Sequence, residues 1–260
     1  PGGVQGMLAN WRRAGGGDRK RQNVYVVLKV ALSLAVKWGR VSRNACDGVD
    51  RPRAVKRDMK PLSANEARQL LAATRDDRFH ALFALALSTG MRQGELFGLS
   101  WDDVDLVVGS LRVTRQLIEV SGNLKLTPPK TKRSRRTLEL TDATVEALVD
   151  HRAKMLREGH VAADTVFCDS RGGLLRKSNF RNHVWIPTLK AASIDYRGFH
   201  NLRHTCATLT LGAGVPVHVV SAVLGHANAS TTLNTYAHIL DGMQSAARDK
   251  ISEILSATTA

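Results

Sequence analysis

The chain has 260 residues, with 38 Lys and Arg against 23 Asp and Glu, a formal charge of +15, 43% hydrophobic residues and three cysteines. That apolar content can fill one large or two modest domains and excludes wholesale disorder. The cysteines, Cys46, Cys168 and Cys206, lie far apart with no CxxC pairing, which argues against a disulfide framework, a zinc finger or an iron–sulfur site. Lys29 and Lys37 interrupt the best apolar run, residues 24–38, so nothing approaches the roughly 20 residues of a bilayer span. No secretory h-region follows the N-terminus, and a chain opening at Pro1 without methionine reads as a fragment or processed form. The expectation is a soluble, intracellular, strongly basic protein.

Residues 1–21 hold Gly2-Gly3, Gly15-Gly16-Gly17 and the basic stretch Arg19-Lys20-Arg21, which predict loose structure with a short helix near residues 4–13. From Asn23 the apolar positions Val24, Val27, Leu28, Ala31, Leu34, Ala35 and Trp38 recur at helical spacing, and Gly39 supplies a stop. Residues 49–60 lack periodicity, carry many charges and end at Pro61, as an interdomain linker would. Ser63 and Glu66 form a capping-box pattern that opens a helix running to about Ala73. Further helices are expected over 78–88, closed by Gly90, and over 94–99. The period then changes to short strands at 106–108, 111–120, 124–127 and 136–140, with turns at Gly109-Ser110 and Ser121-Gly122-Asn123. Thr141 caps a helix to about Arg157, residues 166–168 with Gly172-Gly173 suggest a small hairpin, and helices follow at 177–191, 202–213, 217–224, 231–238 and 242–256. The predicted fold class is mainly α with a small antiparallel β-sheet.

Residues 1–60 hold 14 of the 38 Lys and Arg but only 4 of the 23 Asp and Glu. A basic region that concentrated favours nucleic acid over a merely solubilising face or attraction to anionic lipid, because each phosphate neutralised releases condensed counterions. In the linker, Arg51, Arg53, Lys56 and Arg57 are placed to run along a phosphate backbone.

Four segments carry chemistry: Thr89-Gly90-Met91-Arg92-Gln93-Gly94-Glu95-Leu96, Pro129-Lys130-Thr131-Lys132, His200-Asn201-Leu202-Arg203-His204, and Leu224-Gly225-His226 followed ten residues later by Tyr236. In this order and spacing the sequence resembles the tyrosine recombinase (phage integrase) family. The resemblance covers roughly residues 62–247 as a catalytic domain, and 23–60 looks like the C-terminal part of the family's core-binding domain. The implied division is 1–60, a partial helical core-binding domain and linker, and 61–260, a catalytic domain with a C-terminal helix.

Breaking a phosphodiester without a metal requires neutralising charge on its non-bridging oxygens, and two planar, permanently charged guanidiniums suit that task. Arg92 and Arg203 are the candidates, with His200 one helical turn before Arg203 and so on the same face. Tyr236 is the candidate nucleophile; a phenol with an ordinary pKa near 10 needs a base or a strongly positive site. His200 is the expected proton acceptor or orienter, and His226 a hydrogen-bond donor to the phosphate. By resemblance Lys130 is the general acid for the leaving 5′ oxygen, with Lys132 the alternative. Lys132, Arg133, Arg135 and Arg136 are expected on DNA. Also by resemblance, Glu95 holds Arg92 or the lysine loop; His204 reads as a packed, hydrogen-bonded residue. A zinc site from His200, His204 and His226 is disfavoured by the Arg between the first two and by the want of a nearby acidic or thiolate ligand.

The resemblance implies a site-specific recombinase working through a 3′-phosphotyrosyl intermediate on double-stranded DNA, with no cofactor and no metal. It also implies a homo-tetramer on DNA, possible accessory bending or directionality factors, no membrane, and residence in bacterial cytoplasm or nucleoid. The competing readings are a type IB topoisomerase, a DNA-binding protein without catalysis, and a metal-dependent nuclease.

Overall fold

In the computed structural model, which describes residues 2–53, 59–129, 134–160, 163–226 and 228–241 together with Arg248, Ser252 and Ser256, the chain divides into two units, Pro1–Asp58 and Met59–Ala260. The predicted helix over 242–256 otherwise lies outside the described residues. No helix among those described is long and apolar enough to cross a membrane.

The first unit is built on α1 (Gly2–Arg13) and α2 (Asp18–Lys37). The segment expected to be loose is mostly helical, and the glycine run is confined to a turn in which Gly15 has φ +76°. Helix α2 starts at Asp18, earlier than the hydrophobic period indicates, because charge opens it. Asp18 sits at the positive end of the helix dipole and pairs with Arg21 at 2.9 Å. Leu8, Tyr25, Cys46 and Val49 form the core, and the Tyr25 hydroxyl donates toward the carbonyls of Cys46 at 3.1 Å and Val49 at 2.9 Å. The buried face of α2 therefore runs through Tyr25, Leu28 and Leu32. Within the predicted apolar stripe, Val27 and Trp38 are each 69% exposed.

The second unit opens on α3 (Ala64–Ala73), and its cap is formed as the sequence indicates. Ser63 Oγ accepts from the Glu66 N–H at 3.2 Å, and Glu66 Oε2 accepts from the Ser63 N–H at 2.7 Å. Glu66 also binds Arg197, whose hydrogen bonds outweigh burial and hold the carboxyl down to about 2. Helices α4 (His80–Thr89) and α5 (Gln93–Gly98) follow. Then come β1 (Val104–Asp105), β2 (Ser110–Val113), β3 (Gln116–Val120), β4 (Asn123–Thr127) and β5 (Arg136–Glu139). Two antiparallel sheets result, one ordered β1-β2-β5 and the other β3-β4. Leu111 faces Leu138 across β2 and β5, and Leu117 faces Leu126 across β3 and β4.

Two strand expectations are corrected. Residues 106–108 form a turn rather than a strand, because Asp105 Oδ1 accepts from the N–H groups of Val107 and Val108 at 3.0 and 2.9 Å. The predicted strand 111–120 is two strands in different sheets. Leu111, Val113 and Leu117 keep one inward parity, but the intervening inward position holds Arg115, which donates instead to the Gly98 carbonyl at 2.7 Å and pairs with Asp164. A charge in the core register is where the chain leaves the first sheet.

Helix α6 (Asp142–Arg157) starts at the Thr141 cap as expected. The predicted helix 177–191 is α7 (Lys177–Phe180), a π-helical turn Arg181–Trp185 and α8 (Ile186–Ala191). Pro187, with no N–H for the carbonyl one turn back, accounts for the widened turn. Helices α9 (Asn201–Gly212), α10 (Val217–Leu224) and α11 (Ala229–Asp241) complete the described unit. Phe83, Phe97, Phe180, Trp185 and Phe199 form the aromatic centre of the core, and the Trp185 Nε1–H donates to the Arg197 carbonyl at 2.7 Å.

Gly94 and Gly98, one helical turn apart, let α5 lie directly on β3. A Cβ on Gly98 would come within 2.9 Å of the Gln116 and Leu117 backbone, and one on Gly94 within 2.9 Å of the Leu117 carbonyl oxygen. Backbone cannot yield as a side chain tip can. Gly98→Ala is expected to destabilise the protein by about 1–3 kcal/mol, the usual cost of overpacking. Denaturant unfolding measures this, and an unchanged midpoint would mean that α5 can lift off β3 freely.

Candidate active site

The end of α4, the start of α5, and parts of α9, α10 and α11 bring together most of the residues the sequence singles out. Gly90 ends α4 in the left-handed conformation, φ +61°, and a Cβ there would meet Leu224 Cδ2 at 2.6 Å. That turn delivers Arg92 to the N-terminus of α5 in extended conformation. Arg92 donates from Nη1 to Glu95 Oε1 at 2.8 Å and from Nη2 to the Gly225 carbonyl at 3.2 Å. Gly225, itself left-handed at φ +66°, closes α10.

Glu95 is 2% exposed and sits between two guanidiniums, with Arg136 Nη2 at 3.0 Å from Oε2. Burial pushes its pKa up, but the charge and hydrogen bonds of Arg136, then the N–H and charge of Arg92, overcome that and leave it below its ordinary value. Arg136 departs from the expectation of a DNA contact. Its side chain is 8% exposed, and Nε donates to the Val223 carbonyl at 2.6 Å. It fastens the start of β5 to the end of α10, where helix carbonyls carry partial negative charge. Arg135 beside it is exposed, as are Arg51 and Arg53 in the first unit. Lys56, Arg57, Lys130, Lys132 and Arg133 lie outside the described residues.

Arg203 is 4% exposed on α9. Its Nη1 donates to the Gly90 carbonyl at 2.8 Å, whereas its buried Nη2 has no hydrogen-bond partner among the described residues. Burial, then the Arg92 charge, lowers its pKa to about 10, so it remains a cation at neutral pH. His200 precedes α9, and its ring meets that of His204 edge-on at 4.9 Å. Residue His200 is open to solvent on one side, yet desolvation of the ring and then the charges of His204, Arg203 and Arg92 bring it to about 4. For His226, burial first and then Arg203, Arg92 and Arg136 do the same, again to about 4.

Tyr236 is 2% exposed and packs with Ala207, Leu211, Val220 and Leu224. Its hydroxyl lies 2.7 Å from His204 Nδ1, not on His200, the acceptor expected from sequence. Burial raises the phenol to about 12 despite the nearby Arg203 charge. The backbone at Tyr236 leaves helical geometry, φ −119° and ψ 19°, so α11 is kinked there. Sequence reasoning left His204 without a named partner and missed Thr232, whose Oγ1 is 2.7 Å from His226 Nδ1. The available signal was spacing, since Thr232 lies one helical turn before Tyr236.

The folded-state values of His200 and His226 lie below the ordinary 6.5, so the unfolded chain takes up protons first as pH falls. Their contribution to stability is complete above about 6.5 and is lost as pH drops toward about 4. Thermal unfolding is expected at lower temperature at pH 5 than at pH 7, with the difference smaller in His226→Gln. An equal pH response in that variant would contradict the assigned burial of the ring.

The buried Arg203 and the partly exposed Arg92, flanked by histidines and a phenol, gather positive charge and hydrogen-bond donors in an arrangement suited to an anion. The phage integrase family model matches residues 60–243, and the chain belongs to that family. A tyrosine recombinase XerC-like protein of Caldanaerobacter subterraneus subsp. tengcongensis is 31% identical over 250 residues, covering 87% of this chain and 64% of the relative. The ICEBs1 integrase of Bacillus subtilis is 24% identical over 248 residues, covering 92% and 66%. The chain thus spans less than two thirds of the length of either relative. The Tn1549 transposon integrase, solved in complex with circular intermediate DNA, superposes with a TM-score of 0.79 over 97% of this chain and 85% of its own at 20% identity, which shows a shared fold.

Proposed function

We propose that this chain is a site-specific DNA recombinase that cuts and rejoins strands through a 3′-phosphotyrosyl link. The observation that carries the reading is Arg203 Nη2, a buried cationic donor without a partner among the described residues, on the helix that also holds the Tyr236 hydroxyl through His204. An unsatisfied buried donor is costly, and a phosphodiester oxygen is the acceptor that would relieve it. Arg92 and Arg203 grip the non-bridging oxygens as phosphorus becomes pentacoordinate, and His226 donates to the same group. Tyr236 leaves His204, gives up its proton to His200 or to His204, and attacks in line. Lys130, or Lys132 in its place, protonates the departing 5′ oxygen. The 5′ hydroxyl of a partner strand then attacks the phosphotyrosine, and bond energy is conserved without ATP.

Glu95 keeps Arg92 and Arg136 in place rather than meeting DNA. The charge of residues 1–60, with Arg51 and Arg53 exposed, supports assigning the first unit as part of a core-binding domain on the duplex. Known relatives support the partner: λ integrase has been solved as a dimer bound to a core site. A synaptic homo-tetramer and accessory factors belong to the same proposal. The test is incubation with nicked suicide DNA in excess chelator. A denaturation-resistant protein–DNA band is the expected result, and its absence with active-length substrate would overturn the reading.

A further inference from the structure

We propose that Thr232 is a positioning residue that fixes the tautomer of His226 so that its Nε2–H points to the scissile phosphate, a role that rests on the phosphoryl-transfer reading above. Thr232 is 0% exposed on α11, and its Oγ1 lies 2.7 Å from His226 Nδ1. A buried hydroxyl has one proton to donate, and a neutral imidazole has one nitrogen to accept it. Among the described residues, His226 Nδ1 is the partner of this hydroxyl. Donation to Nδ1 leaves the ring proton on Nε2, on a ring that lies in the field of Arg203, Arg92 and Arg136.

The choice of tautomer decides what the ring offers an anion. With the proton on Nε2 it presents a donor to a phosphate oxygen; with the proton on Nδ1 it presents a lone pair and repels the same oxygen. The ring is neutral at physiological pH, held there by burial and by the guanidiniums, so what it offers an anion depends on its tautomer, and the Thr232 hydroxyl is the contact on Nδ1 that selects it. Thr232 also stands four residues before Tyr236. One helix therefore orients the histidine through Thr232 and carries the phenol that His204 holds.

The experiment uses the full chain with Thr232→Val, which keeps the shape and removes the hydroxyl, and Thr232→Ser, which keeps the hydroxyl. Long-range ¹H–¹⁵N spectra report the His226 tautomer, with His226→Gln identifying the signals. Wild type and Thr232→Ser should show protonated Nε2 and unprotonated Nδ1; Thr232→Val should show a mixture. Single-turnover cleavage of nicked DNA should slow on the order of tenfold or more in Thr232→Val, as for lost outer-shell partners elsewhere, and recover in Thr232→Ser. DNA affinity should stay the same. An unchanged tautomer in Thr232→Val overturns the proposal whatever the rate does, as does failure of Thr232→Ser to restore both signals. If wild type itself forms no covalent adduct, the recombinase reading fails, and the spectra still decide the role of Thr232.

Discussion

Tyr236→Phe is expected to bind DNA as wild type does and to form no covalent adduct on a nicked substrate. The phenolic oxygen is the atom that would bond to phosphorus, and no neighbouring side chain replaces it. The variant should also be slightly less stable, by about 0.5–1.5 kcal/mol, because a buried hydrogen bond to His204 Nδ1 is lost. Adduct yield and thermal unfolding on one preparation separate the two effects. A covalent band from Tyr236→Phe would remove Tyr236 as nucleophile. A second arm follows from the contact with His204: His204→Ala should release the hydroxyl from its parked position while leaving Arg92 and Arg203 in place.

The second large effect belongs to Arg203. Arg203→Lys keeps a positive charge but loses the planar fork, so one ammonium must serve both the Gly90 carbonyl and the phosphate. Cleavage should fall on the order of a thousandfold, at the upper end of what removing one transition-state donor costs, while DNA affinity changes little. Arg203→Ala should lose more, and stability as well, since the Gly90 carbonyl is then left without its donor. Near-normal cleavage by Arg203→Lys would show that the unpartnered Nη2 is not used in the reaction.

The sequence displayed the helices of the second unit well because their ends carry local chemistry: the Ser63–Glu66 box, the Thr141 cap, and the left-handed Gly90 and Gly225. It was least legible where two structures satisfy one pattern. The alternation through residues 111–117 continues across a change of sheet, and only Arg115 betrays the break. The β-branched Val107 and Val108 suggested a strand in a turn set by one aspartate side chain. In α2, a helical period was present, but the inward face runs through Tyr25, Leu28 and Leu32, and Val27 and Trp38 of the expected stripe turn outward. The motif order marked the residues of the site, yet contacts between distant segments were out of reach. Arg136 looks like one more cation of a basic loop, and only the fold reveals Glu95 and the Val223 carbonyl as its partners. The same holds for the attachment of Tyr236 to His204.

The kink at Tyr236 separates two mechanical elements of α11. Upstream, the turn bearing Thr232 is pinned to His226; downstream, the chain is joined to that turn through a residue already outside helical torsions. A pull on the downstream part can thus be absorbed as rotation about the φ and ψ of Tyr236, without unwinding the turn before it. Under the proposed reaction, the phenol would travel while the histidine pinned by Thr232 keeps its aim, making presentation of the phenol and preparation of the phosphate separable operations within one helix.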